Sequence, residues 1–373
     1  MTKPLIIYSR KTISDIRQCV LDNFGFIKYE LPFINALCIE ASDETVAALK
    51  NNKRVALVTD DAEVTKLASC AAGSRSTRKA SHAEARMFQS IGKRPFMLRG
   101  SGVSIAIIDT GISPHYDLVK PVNRIVAFKD FIEQKATPYD DDGHGTHVAG
   151  IAAGNGYSCM RNHIGTAPDA NIVALKSLDA RGNGLTSDIL AAMQWALNHK
   201  DTYNIKVVNL SLGISSENRS MPDPLILGAT ALVKNGITVV TAAGNSGPGR
   251  GTITSPGISP YVITVGSANQ TLNGIPNFSS RGPTPSGLKK PDVIAPGVDI
   301  VSLDTQTHKG YVTQSGTSMS APHISGIAAC LHAAFPHLSP AQVKRIILSN
   351  ASPIKRYDRN TQGHGLIVAR MFD

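Results

Sequence analysis

From Gly102 onward the chain alternates short, nearly uninterrupted Val/Ile/Ala runs with helical segments, and this alternation constrains the fold more than any other feature. Apolar runs at 103–108, 125–128, 172–176, 207–212, 237–242 and 262–265 read as strands. Helices are expected between and after them at about 144–153, 186–199, 224–235, 318–332 and 340–349. A strand that is apolar on successive residues is buried on both faces, and interposed helices supply the crossovers that parallel pairing needs. The expected class is therefore α/β, a parallel sheet with helices on both faces. Ligands in such sheets bind outside the carboxyl ends of the strands, so the search for chemistry begins there.

The first 60 residues follow a different pattern. Strand-like runs at 5–8, 26–31, 37–41 and 55–59 enclose helices at about 14–23 and 43–51, with Ser14 and Asp43 as N-caps. That β-α-β-β-α-β order is the ferredoxin-like, split βαβ pattern of a small α+β domain, which by itself assigns no role.

The net charge of +10 is unevenly placed. Residues 1–67 hold nine Lys/Arg and nine Asp/Glu, residues 68–99 seven and one, and residues 100–373 22 and 18. The excess marks a Ser/Ala/Arg/Gly-rich stretch without apolar periodicity, read as a linker between two folded units. The chain thus divides into residues 1–67, 68–99 and 100–373. A basic linker could meet nucleic acid. A protease-accessible connector is preferred, and no nucleic-acid partner is expected. No apolar run approaches the roughly 20 residues of a membrane helix, so no membrane association is expected. The opening MTKPLIIYSRKTISD lacks the apolar stretch of a secretory signal, which points to the cytoplasm. Five scattered cysteines without a CxxC pair read as free, packed thiols.

Four short motifs fall at strand ends or helix starts: Asp109-Thr110-Gly111, His144-Gly145-Thr146-His147, Ala243-Gly244-Asn245 and Gly316-Thr317-Ser318-Met319. They contain the parts that acyl transfer requires. A serine hydroxyl becomes nucleophilic when an imidazole takes its proton, and a carboxylate holds that imidazole in the right tautomer. An oxyanion needs donors, here the N–H groups of the helix opening at Ser318 and the Asn245 amide. Pro322 is expected in the first turn of that helix.

With the order Asp, His, Ser, these motifs resemble the signatures of the subtilisin-like serine proteases, the subtilase family, over about residues 100–365. Phe278-Ser279-Ser280-Arg281-Gly282-Pro283 and the run 290–297 extend the likeness. Residues 139–144 and 255–259 resemble the intracellular, AprX-like sub-group. The resemblance implies a serine endopeptidase with Asp109, His144 and Ser318 as triad and Asn245 as oxyanion donor. It implies two edges that hold substrate as an added strand, Ser211-Leu212-Gly213 and Gly182-Asn183-Gly184. The specificity pocket would be walled by Leu212, Gly213, Ala242, Ala243 and Gly244, with Thr254 near its base. No acid occurs there, so apolar or aromatic side chains are expected before the cut.

The resemblance also makes the front domain a propeptide that inhibits the protease intramolecularly, released by self-cleavage between about Thr65 and Gly73. Ser320 departs from the Ala found in many relatives. Loop 154–164 does not resemble the calcium-holding loop of secreted subtilisins, so no metal ligand is assigned and no cofactor is expected for the chemistry. A hard cation site near Asp140, Asp141 and Asp142 remains the alternative, against a solvated acidic turn favourable to the helix dipole. His147 and His323 read as packed residues, and Trp195 as packing. Two rival functions stand beside the protease: a peptide-binding protein that retains the cleft, and a nucleic-acid-associated protein using the linker.

Overall fold

The computed structural model describes residues 2–67, 99–215 and 222–367. The linker expectation for 68–99 and Cys70 therefore lie outside the described residues, apart from Arg99.

Seven strands form one sheet in the order β14-β13-β12-β10-β6-β8-β7, and every neighbouring pair in it is parallel. They are β6 (Ser104–Asp109), β7 (Ile125–Asp130), β8 (Asn171–Lys176), β10 (Ile205–Leu210), β12 (Thr238–Ala242), β13 (Ile263–Ala268) and β14 (Val293–Pro296). The sequence reading contains six of these strands and omits β14. From β6 the chain runs outward to β7 and back through β8, then crosses to β10 on the other side. The order reverses at β6, and a crevice opens there at the carboxyl edge.

Helices α3 (His144–Ala153), α6 (Thr317–Ala334) and α7 (Pro340–Ser349) cover one face, while α4 (Thr186–Asn198) and α5 (Pro224–Lys234) cover the other. Residues Thr317 to His332 of α6 are all buried, as expected for a helix that is apolar or small on every side. Pro322 lies in the second turn of α6 rather than the first. Its missing N–H would orphan the Ser318 carbonyl, but the Ser211 hydroxyl donates to that oxygen at 3.0 Å.

In the front domain, β1 (Thr2–Ser9), β2 (Phe26–Leu31), β3 (Ala36–Ser42) and β4 (Val55–Asp60) form an antiparallel sheet ordered β2-β3-β1-β4. The caps shift from the expected Ser14 and Asp43. Thr12 precedes α1 (Ile13–Asp22), its N–H donating to Asp15 at 3.0 Å, and Ser42 caps α2 (Asp43–Lys50) by accepting from Thr45 N at 3.2 Å. Both faces of its central strands, β1 and β3, are covered. Leu5 and Ile7 pack on α1 and α2, whereas Ile6, Tyr8, Leu31 and Ala36 join the cluster containing Met193 and Ala196 of α4 and Leu225 and Ala229 of α5. The run Leu5-Ile6-Ile7-Tyr8 is apolar throughout because each alternate residue meets a different core. Asp61 then accepts from Ser187 N at 2.8 Å and Ala62 O from Thr186 N at 2.9 Å. The front domain thereby caps the start of α4, whose own Leu185 offers no side-chain cap.

Candidate active site

Each motif sits where the sheet order opens the crevice. Asp109 ends β6, Ser211 follows β10, and Ala243, Gly244 and Asn245 follow β12; α3 opens at His144 and α6 at Thr317. Asp109, His144 and Ser318 are all buried. His144 Nδ1 lies 2.7 Å from Asp109 Oδ1, which also accepts from Thr110 N at 2.8 Å. A proton shared on Nδ1 leaves Nε2 with the lone pair. Gly145 is required by this approach, because a Cβ there would run into the Gly111 carbonyl.

Ser318 Oγ donates to the Ser211 carbonyl at 2.9 Å, and His144 Nε2 is buried without a hydrogen-bond partner. The carboxylate–imidazole pair is thus assembled in this structure, while the expected serine–imidazole bond is not made. Asn245 is firmly oriented: its Oδ1 accepts from Thr317 N and Thr317 Oγ1, both at 3.0 Å, which turns Nδ2 toward the cleft. There Nδ2 donates to the Leu67 carbonyl.

Leu67 follows β5 (Glu63–Lys66), which runs between the two expected edges. β5 pairs antiparallel with β11 (Leu212–Gly213) on one side, Lys66 opposite Leu212 and Thr65 opposite Gly213. On the other it pairs with β9 (Asn183–Leu185), Thr65 opposite Asn183 and Val64 opposite Gly184. Leu67 N donates to Ser211 O at 3.2 Å and Lys66 N to Gly182 O at 2.9 Å. The front domain's last residues thus lie along the crevice as a third strand. Thr254 stands between Gly213 and Gly244, so that a Cβ on either would meet its side chain at 2.7 to 2.8 Å, and Thr254 Oγ1 donates to Ala243 O at 3.3 Å. Leu67 itself belongs to the buried apolar cluster that includes Ala242.

The acidic turn is solvated only in part, at the exposed Asp141. Asp140 is buried and accepts from Thr110 Oγ1, Gly143 N, Thr146 N and Thr146 Oγ1 at 2.7 to 2.9 Å. Burial nevertheless holds its carboxyl above the ordinary carboxylate pKa, against the pull of those bonds. Asp141 accepts from Lys176 Nζ at 2.6 Å, and Asp142 is ion-paired with Lys66. Among the described residues no group of three or more His, Cys, Asp or Glu is placed to hold a metal ion. In loop 154–164, Ser158 N instead donates to the buried Asp117 at 2.8 Å.

The neighbouring histidines are packed. His147 Nε2 lies 3.1 Å from Ile300 O and 3.2 Å from Val312 O, and burial beside His144 pushes its pKa down to about 3. His323 lies 3.4 Å from Thr166 Oγ1, and burial likewise pushes it to about 3. Ser320 Oγ meets Ser267 Oγ at 2.9 Å, giving the extra hydroxyl a buried partner. Trp195 stacks on His199 with ring centroids 3.9 Å apart. Cys19, Cys38, Cys159 and Cys330 are free thiols.

Sheet order and site together place the molecule among the α/β serine hydrolases, with the chain order Asp, His, Ser that separates the subtilisin type from the others. The Peptidase S8 model of the subtilase family matches residues 100–369. Serine protease AprX of Bacillus subtilis (strain 168) is 39% identical over 295 residues, 73% of this chain and 66% of that protein, just under two thirds of its length. M-protease of Shouchella clausii (strain KSM-K16) is 34% identical over 344 residues, 91% of this chain and 80% of that protein. A solved cold-adapted subtilisin-like serine proteinase superposes with a TM-score of 0.63 at 30% identity, covering 78% of this chain and 99% of the other. The chain therefore belongs to the subtilase family of serine endopeptidases. No helix among its described residues is long and apolar enough to cross a membrane.

Sequence reasoning missed several supporting residues. Lys176 is fully buried and donates to Thr110 O and Asp141 at 2.6 Å and to Leu178 O at 2.9 Å, bracing the loop after Asp109. Its signal was a lone cation ending an otherwise apolar strand. Thr317, which orients Asn245, carried no separate signal beside the serine that follows it.

Proposed function

We propose that the chain is a self-processing endopeptidase zymogen that cuts itself between Leu67 and Ala68 and then hydrolyses peptide bonds after apolar residues. The observation that carries this reading is the Leu67 carbonyl accepting from Asn245 Nδ2 while Leu67 N–H donates to Ser211 O at 3.2 Å. A peptide carbonyl facing the oriented amide beside Ser318 is positioned as a scissile group would be.

Ser318 Oγ exchanges its bond to Ser211 O for one to His144 Nε2 and attacks the carbonyl carbon, His144 taking the proton and Asp109 stabilising the imidazolium. The oxyanion is held by Asn245 Nδ2 and N–H groups at the start of α6. His144 then returns the proton to the departing nitrogen, leaving an ester on Ser318. Water, deprotonated by His144, hydrolyses that ester and restores the hydroxyl. These steps use side chains and backbone alone and call on no metal or cofactor.

The packing of β1 and β3 on α4 and α5, with β5 filling the cleft, supports the front domain as an intramolecular inhibitor. The closeness of Thr254 to Gly213 and Gly244, in stretches whose sequence carries no acid at 212–213 or 242–244, supports apolar preference before the cut. Free thiols at Cys19, Cys38, Cys159 and Cys330 support a reducing compartment.

Purified chain should yield a mature form beginning at Ala68, hydrolyse casein and take a fluorophosphonate label. Ser318→Ala should stay full length, inactive and unlabelled. Self-cleavage by that variant refutes the assignment of the nucleophile.

A further inference from the structure

Lys66, one residue before Leu67, is held by two features that nothing in the triad requires. Its ammonium is ion-paired with Asp142 Oδ2, the Lys side chain 22% and the Asp side chain 8% exposed. Its methylenes lie on Gly182, where a Cβ would come within 2.7 Å of Lys66 Cγ and Cε. Gly182 has a φ of +79°, and its carbonyl accepts from Lys66 N at 2.9 Å. One residue therefore fixes the backbone and leaves room for a long stem.

Asp142 is committed to this direction. His144 N donates to its Oδ1 at 3.2 Å, which aims Oδ2 at the cleft. The adjacent carboxylates are taken, Asp141 by Lys176 and Asp140 by its own ring of donors. Among the described residues Lys66 is the one cation paired with Asp142.

We propose that Asp142 and Gly182 form a subsite for a basic side chain at the residue preceding the one at the cut, so that the enzyme favours Lys or Arg there in its substrates. This rests on reading residues 63–67 as lying in the cleft like a substrate. A neutral side chain would leave a largely buried carboxylate without its cation, and an acidic one would set two negative charges together. Specificity then comes from two adjacent positions, an apolar residue at the cut and a basic one before it.

The self-processed full chain would be assayed on three fluorogenic peptides that end in Leu before the reporter and carry Lys, Gln or Glu ahead of it. Expected kcat/KM falls in that order, Lys exceeding Gln by about 3- to 10-fold, as for a partly exposed charged pair. The ratio should shrink at about 1 M salt, where the Debye length is about 3 Å. In Asp142→Asn the Lys-to-Gln ratio should approach one, and Asp142→Lys should favour Glu over Lys. Equal wild-type rates on all three overturn the subsite and leave the proteolytic reading standing. A Lys preference that persists in Asp142→Asn overturns the assignment to Asp142. Hydrolysis of none of the three overturns both. The wild-type series and its salt dependence decide the matter even if a variant does not fold.

Discussion

The Ser211 hydroxyl donates to the Ser318 carbonyl at 3.0 Å, and that carbonyl is the one Pro322 leaves without an intrahelical partner. The Ser211 carbonyl in turn accepts the Ser318 hydroxyl at 2.9 Å and Leu67 N–H at 3.2 Å. A single residue just after β10 thus ties together α6, the proposed nucleophile Ser318 and the strand in the cleft. Ser211→Ala keeps the carbonyl but orphans a buried acceptor, at a cost of about 1 to 3 kcal/mol. A lowered urea midpoint with unchanged slope is expected; an unchanged midpoint shows that the hydroxyl is dispensable to α6.

Asn245→Ala removes a donor that Thr317 holds in place. A fall in kcat of about 10²- to 10³-fold with little change in KM is expected, because an oxyanion donor acts on the transition state more than on bound substrate. Steady-state kinetics on a peptide anilide decides it. A rise in KM at constant kcat would instead make Asn245 a ground-state binder.

Leu67→Asp places a carboxylate in the buried apolar cluster that Leu67 shares with Ala242. Self-cleavage should slow by at least about tenfold, the low end of what an apolar pocket discriminates. The half-life of the intact chain on a denaturing gel measures it. Unchanged processing would move the cut away from Leu67.

Acid should weaken the fold through buried imidazoles. Burial holds His147 and His323 at about 3 and His332 at about 4, against an ordinary 6.5. Between 6.5 and those values the unfolded chain binds protons that the native state refuses, so stability falls as pH drops below 6.5 and gains nothing above it from these groups. Each histidine contributes up to about 1.4 kcal/mol per pH unit. His332 lies 2.9 Å from Thr238 Oγ1, a contact that glutamine can keep. His332→Gln should therefore show a shallower loss of the urea midpoint between about pH 6.5 and 4.5. Parallel curves for the two proteins would exclude His332 as an acid trigger.

The central strands were legible because each is apolar on successive residues, and the proposed triad because its residues lie in short motifs at strand ends and helix starts. Strand β14 was not: it has four residues, begins two after Pro291 and ends on Pro296, so its local signal is that of a loop. The caps slipped because Thr12 and Ser14, like Ser42 and Asp43, are neighbouring residues of equal capping chemistry, and the turn geometry chooses between them. Asp140, Asp141 and Asp142 read as a solvated turn because composition registers three adjacent charges and says nothing of the Thr110, Lys176 and Lys66 partners that meet them.

From its sequence alone, this protein has a parallel sheet wrapped by helices, a small two-helix domain ahead of it, and a carboxylate, an imidazole and a hydroxyl at the sheet's carboxyl edge. These follow from patterns only a few residues long, where backbone geometry and burial act locally. Tertiary structure alone decided that Leu67 faces Asn245, that Ser211 serves the carbonyl Pro322 leaves open, and that Lys66 meets Asp142 across 76 residues of chain. Such pairings depend on where the packed sheet carries its loops, and hydrogen bonds and ion pairs act over a few ångströms of space whatever the separation along the chain.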